Sequence, residues 1–188
     1  MRGGRPVATA TPGSVNNAVG MTSEPYRHNS WARQRLLDFC RDLDPAVLDA
    51  AVPGTYGSIK ETLAHLIASE ESLAAMVEGS PVDQPQPRFT SLDDLQERAR
   101  RLSDRWERLL GLPMHAERLV ERDRRGGEGR LVRLGSVLAQ VVHHGNHHRA
   151  EICVALSSVG VVPPTLDGWA YGAWVIEHRD RQGRRGDI

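Results

Sequence analysis

Apolar positions recur at helical spacing in four long stretches of this chain. The first covers 25–43, where Trp31, Leu36, Phe39, Cys40 and Leu43 form one face. Pro25 suits an early helical position, and Asp44-Pro45 ends the segment. After a link over 45–57, closing on Pro53-Gly54 and Gly57, a second helix is predicted over 58–79. Ser58 and Glu61 make a capping box for it, Gly79 stops it, and Ile59, Leu63, Leu66, Ile67, Leu73 and Val77 line its apolar face. The third helix, roughly 91–111, is capped by Ser91 with Asp94 three residues on. Leu92, Leu95, Leu102, Trp106, Leu109 and Leu110 mark its buried side, and mixed charges its solvated one. The fourth runs from about Ser136 to Ser158, with Val137, Val141, Ile152 and Ala155 on its stripe and Gly160 as its stop.

Between these helices the pattern changes. Residues 80–90 are a proline-rich loop, and 115–134 look like two short extended arms around a glycine turn, a small hairpin or an irregular loop. The arginines of that segment are interleaved with Glu117, Glu121, Asp123 and Glu128, which reads as solvated surface. Beyond the stiff Pro163-Pro164 pair, residues 167–178 make a short last helix with Trp169, Tyr171 and Trp174, aromatics placed to cover one end of a core or to form an interface. Residues 1–22 show no period and are expected to be a disordered extension, 23–178 one bundle domain, and 179–188 a flexible tail. The expected fold is therefore all-α, a four-helix bundle with a hairpin or loop insertion before helix four and a short C-terminal helix. The longer crossover is expected between helices three and four.

At 188 residues the chain suits one domain with a sizeable core. Lys+Arg and Asp+Glu are both 24, so no net charge draws the protein to nucleic acid. No run of 18 apolar residues marks a membrane span, and residues 1–20 lack the hydrophobic block of a secretory signal. Cys40 and Cys153 sit in apolar helical contexts, as unpaired thiols of a cytoplasmic protein do. Met21 opens the first structured sequence and is a candidate translation start.

Candidate chemistry lies on helix four. Four of the eight histidines, His143, His144, His147 and His148, fall within six positions. On a helical wheel His148 is near the centre of the apolar stripe and His144 about 40° to one side, while His147 lies off to the side and His143 nearly opposite. Two imidazoles one turn apart on a buried face need partners: hydrogen bonds within the core, or one divalent ion shared by both. The residues alone leave both readings open. On helix two, His65 lies off the stripe among Glu61, Ser69, Ser72 and Met76, a boundary position that in a bundle can face a neighbouring helix across a cleft. His28, near the start of helix one, reads as a surface or capping histidine.

The segments ETLAHLIASE around His65, HGNHHRAEI from His144, GVVPPTLD from Gly160 and HNSWA from His28 together resemble the DinB/YfiT-like superfamily of small bacterial metalloenzymes, over about 25–178. The resemblance, and it alone, makes His65 a ligand beside His144 and His148. It implies a four-helix bundle, often a homodimer, holding a divalent metal, Zn²⁺ first, with Ni²⁺ or Fe²⁺ as alternatives. It also implies a small-molecule substrate, since similar proteins include thiol-dependent S-transferases and a mycothiol-dependent maleylpyruvate isomerase. The leading expectation is a low-molecular-weight thiol activated for transfer to a small electrophile. The rivals are a metal-dependent hydrolase, with Glu61 or Glu151 as its carboxylate, and a non-catalytic metal-binding or structural bundle. Ala150-Glu151 stands where the family has Gly-Gln, beside a ligand rather than at one.

Overall fold

Short polar side chains set most of the helix ends. In the computed structural model, which describes the backbone of residues 16–80, 88–124 and 127–183, α2 (Ile59–Glu78) begins at Ser58. The Ser58 hydroxyl accepts from the Glu61 N–H while the Glu61 carboxylate accepts from the Ser58 N–H at 2.8 Å. Gly79 closes the helix at φ 74, a left-handed conformation that favours glycine. Ser91 caps α3 (Leu92–Leu110) by accepting from the Asp94 N–H at 3.1 Å, and Asp167 accepts from Ala170 N–H at the start of α5 (Gly168–Gly183). Two antiparallel strands, β1 (Leu119–Arg124) and β2 (Gly127–Arg133), form the hairpin before α4 (Leu134–Ser158). Because α4 springs directly from β2, it opens two residues before Ser136 and without a side-chain cap.

The first helix differs most from its expected extent. α1 spans Asn16–Arg41, so Pro25 lies inside it rather than at its start, and its first turns fall within the stretch expected to be disordered. A proline there removes one hydrogen bond, to the carbonyl four residues back, and the helix absorbs that loss. Residues 1–15 and 184–188, within the expected disordered extension and flexible tail, lie outside the described residues.

The four long helices alternate around the bundle in the order α1, α3, α2, α4. Arg27 bonds Glu107, Arg33 bonds Ser103 and Arg41 bonds Gln96, so α1 and α3 are antiparallel. Arg98 pairs with Glu71 and, seven residues on in both helices, Arg105 with Glu78, so α2 and α3 run parallel. The start of α2 shares a core cluster with the end of α4, and the end of α2 with the start of α4, which makes that pair antiparallel. The topology is up-down-down-up. This corrects the expected crossover: the return along the bundle falls between α2 and α3, where residues 79–91 reach up to about 43 Å when extended against a helix of about 30 Å. The longer connection between α3 and α4 spends its length on the hairpin, which stays at one end, with Val120 buried in the same core cluster as Leu109 and Leu134 and Arg118 donating to the Val77 carbonyl.

The core has two apolar layers. Leu36, Leu37, Ile59, Leu63, Ile152 and Leu156 belong to one, and Ala74, Val77, Leu102, Trp106, Val137 and Val141 to the other. Between them lies a buried polar network that joins all four helices. Glu70 of α2 accepts from Arg33 at 2.6 Å and from Asn29 at 3.1 Å, both on α1. Arg33 also donates to the Ala99 carbonyl and Ser103 hydroxyl of α3, and Arg149 of α4 donates to Asn29 at 2.7 Å and to Asn146. Asn29, Arg33, Glu70 and Arg149 are each 3% exposed or less. Removing one member of such a pair strands the other's charge in a dry interior. Glu70→Ala, which leaves two buried guanidinium groups without a carboxylate, is expected to cost about 3–5 kcal/mol of stability, measured by urea unfolding at neutral pH. Glu71→Ala, at a half-buried pair, should cost well under that.

Candidate metal centre

The face of α4 that carries His144 and His148 packs on α2, and the position of His65 turns it toward that contact. The three rings converge, with centroids 4.4 Å apart for His144–His148, 4.7 Å for His65–His148 and 5.1 Å for His65–His144. One nitrogen from each lies within 4.8 Å of the other two, and the Nε2 atoms of His65 and His144 are 3.2 Å apart. Zinc–nitrogen bonds of about 2.0–2.1 Å at tetrahedral angles place neighbouring donors about 3.3 Å apart. The donor set and its spacing therefore fit a divalent ion. His148 is buried, while His65 and His144 are part-exposed, so the cluster lies at the edge of the core rather than sealed within it.

Glu151, one turn beyond His148 on α4, accepts from His148 Nδ1 at 2.6 Å, and its other carboxylate oxygen lies 3.2 Å from His147 Nε2. An ionised carboxylate only accepts, so the proton of this bond is on His148 Nδ1 and Nε2 keeps its lone pair. Glu61 has a different job: its carboxylate takes the N–H and hydroxyl of Ser58, and those bonds hold its pKa below the usual carboxylate range. His28 is not part of the site. It bonds the Leu166 carbonyl at 2.7 Å and packs on Trp31 and Tyr171, where α5 meets α1. His143 and His147 are exposed.

Two features of the site go beyond the residues that the sequence pattern singled out. Tyr56, in the link before α2, lies face to face with His65 at 3.9 Å and edge-on to His148 at 5.6 Å. No periodicity marks a loop tyrosine nine residues from a histidine. The polar network is the other, and it had a signal: Glu70 lies seven residues from both Leu63 and Val77, on the apolar stripe of α2, and Arg149 adjoins His148 on the buried side of α4. Gly145, between the histidines, makes room for the network, since a Cβ there would overlap Asn29 Oδ1 and lie 2.8 Å from Arg149 Nη1.

Known proteins resemble this chain in sequence and fold. The sequence model of the DinB family matches residues 14–181. Protein DinB of Bacillus subtilis (strain 168) is 19% identical over 160 residues, spanning 80% of this chain and 91% of that protein. The crystal structure of a DinB-like protein from Bacillus cereus ATCC 10987 superposes with a TM-score of 0.58 at 14% identity, over 79% of this chain and 95% of that one, which shows the common fold.

Electrostatics disfavour the charged form of His144. Burial first, and then the neighbouring His148, His65 and His147, together push the His144 imidazole down to about 4. Between about 4 and the ordinary 6.5 the unfolded chain binds a proton that folded His144 does not, so stability rises with pH across that window. The metal-free protein should thus lose stability as pH falls from about 6.5 towards 4. His144→Ala should flatten that part of the slope in urea midpoints taken between these limits.

Proposed function

The chain belongs to the DinB family, and we propose that it is a divalent-metal enzyme in which His65, His144 and His148 hold the ion and leave a position open for a small thiol. The observation that carries this reading is the convergence of three imidazoles at the part-exposed contact of α2 and α4, with two donors at the spacing of a zinc shell. When bound, the ion supplies a Lewis acid that keeps its full charge, since three neutral ligands cancel none of it, and that favours thiolate over thiol at the open position. The chain's own residues do the rest. His148 is fixed in one tautomer by Glu151, and His65 is held against Tyr56. The sulfur would release its proton to solvent and form the new bond to an electrophilic carbon of a small substrate, whose leaving group would depart into solvent with the electron pair of the bond that breaks. Zn²⁺ suits the set best, with Ni²⁺ or Fe²⁺ as alternatives.

Neither protein thiol supplies the nucleophile. Burial pushes Cys40 up to about 12 and raises Cys153 as well, so both stay protonated. Hydrolysis by a carboxylate base is the weaker reading, because Glu151 is bonded to His148 and Glu61 to the helix cap.

Elemental analysis after dialysis should find one ion per chain in the wild type and none in His144→Ala. Glu151→Ala should bind the metal about 10–100-fold more weakly in a chelator competition, because His148 loses its fixed tautomer. Metal-loaded protein incubated with a generic electrophile and a panel of small thiols, mycothiol and bacillithiol included, should consume thiol in a manner that depends on His148. Metal-dependent turnover of an ester or amide panel without thiol consumption would reverse the preference for transfer over hydrolysis.

A further inference from the structure

The loop that carries Tyr56 is held more tightly than its composition suggests. The Ile59 N–H bonds the Ala50 carbonyl at 2.9 Å and ties the two ends together, and the Thr55 hydroxyl donates to the Val52 carbonyl at 2.7 Å. Gly54 turns the chain at φ 92. At Gly57 a Cβ would lie 2.8 Å from Glu61 Oε2, so a side chain there would displace the carboxylate that caps α2. Tyr56 is therefore delivered to a defined place by the same capping interaction that starts α2.

That place is against two of the three clustered histidines. The Tyr56 ring is stacked on His65 with 19° between the planes, and it meets His148 at 82°, edge to face. It is also 47% exposed, so it forms a border between the imidazoles and solvent. A core tyrosine would be covered and a surface one would not be stacked on a ligand ring. On the α2 side, the small residues Ser69 and Ser72 are part-exposed, and the Ser69 hydroxyl lies 3.4 Å from the His65 ring nitrogens.

Resting on the metal reading above, we propose that Tyr56 is the specificity-determining wall of the centre. It positions His65 by stacking, and it offers aromatic surface to the molecule that takes the open position. It thereby favours a donor group carried on a flat aromatic or conjugated body over the same donor on a small alkyl one. Aromatic pairs contribute enough beyond their area to make a three- to tenfold preference, roughly, the scale to expect.

The test uses the full chain loaded with Co²⁺ and titrated with benzohydroxamate and acetohydroxamate, followed by visible absorption. The wild type should prefer the aromatic probe by about three- to tenfold beyond the preference of aqueous Co²⁺. Tyr56→Phe should keep that preference, while Tyr56→Ala and Tyr56→Leu should abolish it with helical content and melting temperature unchanged. Weaker Co²⁺ uptake in the Ala and Leu variants, but not in Tyr56→Phe, would support the positioning role. An unaltered probe ratio in Co²⁺-loaded Tyr56→Ala or Tyr56→Leu would overturn the inference and leave the metal reading intact. A wild type that takes up no Co²⁺ would overturn both.

Discussion

The bundle depends on one buried carboxylate. Glu70 sits between the two apolar layers and takes hydrogen bonds from Arg33 and Asn29, and through them it reaches α3 and α4. A hydrophobic layer tolerates sliding and repacking, because dispersion and burial are not directional. A buried ion pair with fixed hydrogen-bond geometry does not, since any slip leaves a charge unpaired. Two guanidinium groups share this single carboxylate, and burial, with Arg33 adding repulsion against the pull of Glu70, brings Arg149 down to about 10. The network thus ties the register of all four helices to the few donors that can satisfy it.

The register of α4 matters because the same turns carry the histidines. Gly145 and Arg149 alternate with His144 and His148, so the polar network and the imidazole cluster sit side by side on one helix. Locking Arg149 to Asn29 on one flank orients His144 and His148 toward α2 on the other. Glu151 then completes the arrangement from outside by holding the Nδ1 proton of His148. The centre is therefore built on rigid helices whose rotation is set by buried charge, and only Tyr56 comes from a loop. That loop is itself anchored by the cap of α2, so the whole site rests on backbone with few ways to move.

Much of this was legible in the chain. Ser58 with Glu61, Ser91 with Asp94, and Gly79 and Gly160 act within a few residues of themselves, so the caps and stops they predict are the ones that form. The HxxxH pair faces inward as its wheel position requires. His65 was harder, because a boundary position on one helix becomes a site only when a second helix supplies the rest. Its place came from likeness to a family and not from its own surroundings. Pro25 misled in the other direction, since a proline compatible with a helix start is also tolerated farther in.

The sequence by itself determined where helices begin and end, which faces are apolar, and that two imidazoles share a buried stripe, because each of these follows from interactions within one or two turns. Tertiary structure alone decided that α2 and α3 run parallel, that Glu70 and Arg33 meet in the core, that Glu151 rather than Glu61 serves a histidine, and that Tyr56 covers His65. Those outcomes depend on contacts between residues about 9 to 120 positions apart in this chain or on competition among equally suitable partners. Periodicity reports only the direction in which a side chain leaves its own helix, and the identity of what it meets is settled when the helices pack.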